Sequence, residues 1–106
     1  MGFTIEHMPF DDVANLWATR QGSTPGGILA FAGHTDVVPP GPLDEWQSDP
    51  FIPVIKDNLL FGRGAADMKG NICAFLKALS EFINSEENLN FKIAILLTSN
   101  EEGESD

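Results

Sequence analysis

The sequence predicts an α/β fold with a mixed, mainly parallel sheet and a crossover helix. Two almost wholly apolar runs, ILAFAG at residues 28–33 and FKIAILLTS at residues 91–99, are typical of strands that are covered on both faces. Between them, residues 71–85 carry apolar side chains at helical spacing. A strand, a helix and a second strand in this order predict a right-handed crossover between two parallel strands.

Two shorter strands are expected before the first of these runs. Phe3, Ile5 and His7 alternate with polar residues, as the side chains of a half-buried strand do, and residues 15–20 form the next candidate strand. The cluster QGSTPGG at residues 21–27 predicts a turn. The first part of the chain is therefore expected to be rich in β-structure.

A loop and a hairpin are expected between the strand at 28–33 and the helix. Residues 39–50 contain several prolines and a glycine, which predicts a loop. FIPVIKDNLLFGRG at residues 51–64 predicts two short strands around a turn at Asp57-Asn58. The helix then presents its apolar side chains at the following positions: Ile72, Phe75, Leu76, Leu79, Phe82 and Ile83.

Size and composition exclude several classes of protein. The chain has 106 residues, the size of one domain. Six basic against sixteen acidic residues, a net charge of −10, disfavour a nucleic-acid partner, because phosphate binding requires cationic side chains. No apolar run approaches the ~20 residues of a membrane helix, and the single cysteine, Cys73, excludes an internal disulfide. We expect a cytoplasmic protein that binds neither membranes nor nucleic acids.

Three polar clusters lie where an α/β sheet gathers its ligands. GHTD at 33–36 and NEEG at 100–103 follow the two apolar strands, and AADMKG at 65–70 connects the hairpin to the helix. These clusters supply one imidazole and four carboxylates: His34, Asp36, Asp67, Glu101 and Glu102. Four acids gathered together repel one another unless a cation neutralises them. An imidazole with oxygen ligands suits zinc, and bridging carboxylates suit a hydrolytic site with two metal ions.

Spacing along the chain indicates separate roles for these side chains. On an extended backbone His34 and Asp36 point to the same side, so that Asp36 could brace the imidazole or face a substrate. Glu101 and Glu102 are adjacent and would point to opposite sides if the backbone stays extended. One of them could then bind metal while the other serves as a general base.

Each cluster also has a simpler interpretation. A lone His-x-Asp is more often a surface turn than a metal site, Asp67 could cap the helix that follows it, and Glu101 and Glu102 could form a solvated acidic segment. The alternative of another class is a non-catalytic acidic module that holds calcium or magnesium. Calcium, however, prefers oxygen ligands without an imidazole.

The three motifs GHTDVVP, GRGAADMKG and LLTSNEEG resemble, in this order, the metallopeptidase-type deacylases of the aminoacylase and carboxypeptidase G2 superfamily. GRGAADMKG, LLTS and the stretch WQSDPF are most similar to the succinyl-diaminopimelate desuccinylase family, with acetylornithine deacetylases or other deacylases of the superfamily as the alternative. The resemblance covers residues 2–103. It implies a zinc-dependent hydrolase of linear amides that releases succinate from N-succinyl-LL-2,6-diaminopimelate in lysine and diaminopimelate biosynthesis.

The resemblance also implies a role for each residue of the polar clusters. His34 matches a ligand of one zinc ion, Glu102 a ligand of a second, and Asp67 the carboxylate that bridges both and usually precedes a cis peptide. Asp36 matches the aspartate that orients the histidine, and Glu101 the general base. Two zinc ions, with cobalt as an alternative metal, a small N-acyl amino acid substrate and a homodimer are implied for the full-length family.

Members of that family are several times longer than this chain. They carry a further glutamate ligand, a further histidine ligand and an inserted dimerisation domain, none of which matches residues 1–106. We therefore expect 1–106 to be a partial catalytic, zinc-binding domain without the dimerisation domain. Because catalytic zinc normally has three protein ligands, weak zinc binding and little or no hydrolysis are expected of it. The strand at 91–99 is expected to be an exposed sheet edge that favours aggregation.

Overall fold

A computed structural model of the chain describes residues 1–23, 25–85 and 88–103. Thr24, in the predicted turn cluster, and residues 104–106, after the acidic motif, lie outside the described residues. The strands are β1 (Thr4–His7), β2 (Asn15–Arg20), β3 (Ile28–His34), β4 (Val54–Lys56), β5 (Leu59–Phe61) and β6 (Lys92–Thr98), and the long helix is α1 (Gly70–Ser85). A short 3-10 turn, Leu43–Glu45, interrupts the loop predicted at 39–50.

Four strands form one mixed sheet in the order β1-β2-β6-β3. The strands β3 and β6 are parallel, from Ile28 opposite Lys92 to His34 opposite Thr98, and α1 lies between them in the chain. The α/β class, the mixed sheet and the crossover helix are thus confirmed.

The expected predominance of parallel pairs is not found in the described part of the chain. The pairs β1–β2 and β2–β6 are antiparallel, and only β3–β6 is parallel. For β1 and β2 the reason is their short connection, because a parallel pair needs a crossover of roughly a dozen residues or more.

The core lies between α1 and the central strand of the sheet. In β6, Ile93 and Ile95 are buried in one cluster with Leu79 of α1. The strand β6 lies between β2 and β3, so the expectation that it forms an exposed edge is wrong. It is interior because β2 pairs with its second side.

Strand β3 is the edge of the described sheet on this side. Its first residues are largely exposed, with Ile28 at 65% and Leu29 at 51%, so the expected covering of both faces is wrong for this strand. The helix covers only its second half, where the rings of Phe31 and Phe75 stack with their centroids 4.0 Å apart. This packing leaves the end of β3, and therefore His34, well supported.

The predicted hairpin is confirmed as a separate two-stranded sheet of β4 and β5. Its turn residues Asp57 and Asn58 both have a positive φ, 53° and 61°, as a tight two-residue hairpin turn requires. The helix α1 has 16 residues. No helix in the described ranges has the length and apolar character needed to cross a membrane.

Candidate metal centre

His34 is the last residue of β3, and its side chain is buried. Its Nδ1 lies 3.0 Å from the backbone oxygen of Asp36, and its Nε2 lies 2.9 Å from Oδ1 of Asp67. A carbonyl oxygen can only accept, so Nδ1 carries a proton and donates it to Asp36. The Nε2 atom then faces an ionised carboxylate, which also only accepts. Two acceptors this close require a cation between them, either a proton or a metal ion.

The glycine before His34 lets the helix approach the strand closely. A Cβ atom on Gly33 would lie 3.1 Å from Cγ1 of Ile72, a residue of the first turn of α1. That first turn follows directly on the segment that carries Asp67. Close packing of α1 on β3 therefore brings Asp67 to the imidazole.

Asp67 lies in the turn Ala65–Lys69, immediately before α1. The peptide bond between Asp67 and Met68 is cis, which confirms the expectation drawn from the resemblance. The carboxylate of Asp67 is largely exposed and contacts His34. The turn begins at Gly64, whose φ is +85° and whose Cβ, if present, would lie 2.7 Å from Cγ1 of Val37.

Asp36 joins the loop after β3 to the loop after β6. The backbone N–H of Glu101 donates to both oxygens of its carboxylate, at 3.1 and 3.2 Å, and the N–H of Glu102 donates to Oδ2 at 2.9 Å. Oδ1 of Asp36 also lies 3.5 Å from Nδ1 of His34. The expectation that Asp36 and His34 lie on the same side is thus confirmed.

Glu101 and Glu102 direct their carboxylates to the same place. Oε2 of Glu101 lies 3.7 Å and Oε1 of Glu102 lies 3.8 Å from Nε2 of His34. The opposite orientation expected for an extended backbone is therefore wrong, because the chain bends after β6 at residues 101–103. The two acids still differ in exposure, which is 58% for the side chain of Glu101 and 25% for that of Glu102.

Three of the predicted residues form a compact donor set. One ligand atom from each of His34, Asp67 and Glu102 lies within 4.8 Å of the other two. Among the described residues, Glu101 is not a member of this donor set, although its carboxylate lies 3.7 Å from Nε2 of His34. Two of the simpler interpretations are disfavoured. The carboxylate of Asp67 contacts His34, which argues against a helix cap. His34 is buried, which argues against a surface turn for the His-x-Asp motif.

The charges of the site are not balanced by basic side chains. Burial lowers the pKa of His34, whereas its contacts with Asp67 and Asp36 raise it, and the net pKa lies above the ordinary value. Burial, a hydrogen bond with Asp67 and the charge of Glu101 raise the pKa of Glu102. Burial raises the pKa of Asp36, but the N–H groups of Glu101 and Glu102 outweigh it and lower this pKa. In the described ranges no lysine or arginine forms an ion pair with these acids.

A cavity of about 560 Å³ opens above the cluster. Its wall includes Met68 and Thr98 besides the charged residues, and neither was singled out from the sequence. Their positions offered a signal, since Met68 follows Asp67 directly and Thr98 ends the strand before the glutamate pair. A cavity of this size accepts a small molecule.

Comparison with known proteins gives concordant matches. The family model described as peptidase family M20/M25/M40 matches residues 30–106. The succinyl-diaminopimelate desuccinylase of Acinetobacter baylyi is 54% identical over 104 residues, 98% of this chain and 27% of that protein. The enzyme of the same name from Xylella fastidiosa is 51% identical over 105 residues, 99% of this chain and 27% of that protein. The chain thus spans 27% of the length of these relatives.

A solved structure matches the fold as well. The crystal structure of human carnosine dipeptidase 1 superimposes with a TM-score of 0.72 and 34% sequence identity. The match covers 87% of this chain and 20% of that one. With the family model matched over residues 30–106, the chain belongs to peptidase family M20/M25/M40.

Proposed function

We propose that the chain is part of a dinuclear zinc amidohydrolase that removes succinate from N-succinyl-LL-2,6-diaminopimelate in lysine and diaminopimelate biosynthesis. The observation that carries the proposal is the convergence of His34, Asp67 and Glu102, from three distant parts of the chain, within 4.8 Å. The names of relatives that are 51% and 54% identical support the choice of substrate. As in the family that the motifs resemble, the complete enzyme would be a cytoplasmic homodimer.

The donor set fits zinc. Bonds of about 2.0–2.2 Å from zinc to nitrogen or oxygen place neighbouring ligand atoms roughly 3.3 Å apart. Nε2 of His34 and Oδ1 of Asp67, which would share one ion, lie 2.9 Å apart, a little below this value. An imidazole among carboxylates also favours zinc over calcium. Cobalt is an alternative with similar ligand preferences.

His34 and Asp67 would hold one ion, and Asp67 and Glu102 the other. By the same proposal, residues 1–106 form part of the catalytic domain. The further glutamate and histidine ligands, and the dimerisation domain, would belong to the part of the longer relatives that this chain does not cover. This division predicts weak zinc binding by residues 1–106 themselves.

The side chains of this chain would divide the work of amide hydrolysis. Zinc held by His34, Asp67 and Glu102 would supply a Lewis acid for the amide oxygen and would lower the pKa of a water molecule. His34 presents Nε2 because its Nδ1–H donates to the backbone oxygen of Asp36. Glu101 faces the same cavity outside the compact donor set, so its carboxylate is free to accept a proton from water and to pass it to the leaving amine.

A chimera tests the proposal. Residues 1–106 replace the matching segment of the Acinetobacter baylyi desuccinylase, and succinate release from N-succinyl-LL-2,6-diaminopimelate is measured. We expect kcat/KM within about tenfold of the parent, a change of about 1.4 kcal/mol in transition-state stabilisation. In the chimera, Glu101→Gln is expected to lower kcat by about 10²–10⁴-fold, the contribution of a general base.

A second chimera, built in an acetylornithine deacetylase, distinguishes the alternative within the superfamily. Activity in the desuccinylase host and not in the deacetylase host supports the proposed substrate. Activity only in the deacetylase host would overturn the substrate assignment. A desuccinylase chimera whose kcat does not change with Glu101→Gln would contradict the role proposed for Glu101.

A further inference from the structure

The carboxylate of Asp36 makes its shortest contacts with the backbone after β6 and not with the imidazole. Its oxygens lie 2.9–3.2 Å from the backbone nitrogens of Glu101 and Glu102, compared with 3.5 Å from Nδ1 of His34. Hydrogen bonds to an ionised acceptor are about twice as strong as neutral ones. The glutamate backbone is therefore the principal partner of this side chain.

The imidazole has a different support. Nδ1 of His34 lies 3.0 Å from the backbone oxygen of Asp36, an atom that every substitution at this position retains. This contact is shorter by half an ångström than the one to the carboxylate. The orientation and tautomer of His34 thus depend on the main chain of residue 36.

The register of the sheet brings Asp36 beside the chain that follows β6, one residue before the glutamate pair. His34 is paired with Thr98, and the N–H of Thr35 donates to the oxygen of Thr98 at 2.9 Å, which continues the parallel ladder by one step. Beyond it, the chain leaves β6 and the carboxylate of Asp36 receives two successive N–H groups. Two successive N–H groups that meet one acceptor are incompatible with an extended strand, in which they alternate in direction.

We infer that Asp36 is a positioning residue whose carboxylate folds the Glu101–Glu102 segment toward His34. In the absence of this acceptor, the backbone is free to continue as an extended chain, and adjacent side chains would then point to opposite sides. The contact explains how both carboxylates come within 3.8 Å of one nitrogen atom. The consequence for metal binding and catalysis rests on the roles proposed above for Glu101 and Glu102. The hydrogen bonds from their backbone to Asp36 do not depend on those roles.

The hydrogen bonds can be observed directly in the unmodified 106-residue chain. Scalar couplings across hydrogen bonds, measured by NMR in uniformly labelled protein without metal, are expected between the backbone nitrogens of Glu101 and Glu102 and the carboxylate carbon of Asp36. Both amide protons are also expected to be protected from exchange with solvent. Unprotected amides without couplings would overturn the inference, whatever the chain binds or hydrolyses.

A substitution then separates the two roles of Asp36. Asp36→Asn retains the backbone oxygen that holds His34 but replaces one acceptor oxygen by an NH₂ group. We expect the amide resonances of Glu101 and Glu102 to move while the ring ¹⁵N shifts of His34, which report the tautomer, stay in place. The reverse pattern, in which the ring shifts change and the amides do not, would show that Asp36 acts on the imidazole and would overturn the inference.

Zinc affinity, measured by titration calorimetry, supplies the functional readout. We expect Asp36→Asn to weaken zinc binding by about 10–100-fold, the usual effect of replacing a residue that holds metal ligands in place. The matched control is Asp57→Asn, which removes the same charge from the β4–β5 turn and should change neither the affinity nor the amides of Glu101 and Glu102. Absence of zinc binding in the unmodified chain would count against the proposed metal centre, and the NMR measurements would still decide the role of Asp36.

Discussion

At the scale of single residues, His34 links the chemistry of the site to the fold. Its ring is buried at the end of β3, with a carbonyl on one nitrogen and carboxylates on the other. This arrangement holds one tautomer and directs Nε2 toward a position that attracts a cation. The importance of this residue can be tested by removing the ring and by varying its protonation.

His34→Ala is expected to remove the nitrogen ligand itself. It should therefore reduce the zinc affinity of the chain by more than the ~10–100-fold typical of substitutions that only disturb the residues supporting a ligand. Calcium binding, which does not use imidazole, should not change. Titration calorimetry with each metal measures both effects. His7→Ala is the matched control, since His7 lies exposed on β1. Metal affinity that His34→Ala leaves unchanged would favour the non-catalytic acidic module, which binds its cation through carboxylates alone.

Zinc affinity is also expected to depend on pH. A proton on Nε2 of His34 competes with the metal, and the raised pKa of His34 extends this competition to a higher pH than for an ordinary histidine. Affinity should therefore increase with pH, level off above the raised pKa and fall progressively below it. Calorimetry in buffers of different ionisation enthalpy counts the protons released. Affinity that stays constant over the range in which histidines titrate would contradict this prediction.

At the scale of elements, the connections between strands and helix bring the site together. The turn Ala65–Lys69 lets Asp67 reach His34, and it begins at Gly64, which passes close to the loop after β3. The left-handed conformation of Gly64 and the nearness of Val37 both exclude a side chain there. The elements therefore meet closely enough for side chains of separate motifs to share one position.

Gly64→Ala is expected to destabilise the chain by about 1–2 kcal/mol from the left-handed conformation and by a further ~1–3 kcal/mol from the clash with Val37. The matched control is Gly41→Ala. Gly41 has a similar φ of +74° but no atom within 4 Å of its Cβ position. Urea denaturation of both variants separates the two costs. Equal destabilisation by the two substitutions would mean that the close approach to Val37 is absent.

At the scale of the whole molecule, the chain is flat and leaves much apolar surface exposed. Its radius of gyration is 16.9 Å, and its extents are 54 × 39 × 17 Å. A compact domain of this length has a radius of about 13 Å. The free edge of β3 and the hairpin both expose large apolar side chains. Part of the hydrophobic surface is thus not buried by the fold and is available for self-association.

The edge of β3 is expected to drive this self-association, because an open edge strand offers unpaired backbone groups beside exposed apolar side chains. Ile28→Lys, at the start of β3, should lower the apparent mass at high protein concentration. Light scattering over a concentration series measures this change. The control is Ile55→Lys on the hairpin, where Ile55 is 77% exposed. An equal effect of both substitutions would attribute association to general apolar exposure and not to the strand edge.

Local patterns in the sequence predicted most elements of the fold. The strand at 15–20, the hairpin turn at Asp57-Asn58 and the helix up to Ser85 coincide with the structure, because alternation, turn chemistry and helical spacing are local properties. The burial of β3 and β6 could not be predicted in the same way. Both runs are equally apolar, and only the order of strands decides that β6 is central and β3 is an edge.

The sequence by itself determined which residues carry the proposed chemistry, since the identity of the side chains and their place at the ends of strands can be read along the chain. Only the tertiary structure decided how they are arranged. It turned Glu101 and Glu102 to the same side, gave Asp36 the backbone after β6 as its principal partner and placed Asp67 against Nε2 of His34. The physical reason is that these contacts join residues more than thirty positions apart. Their geometry depends on strand register and helix packing, which no local pattern records.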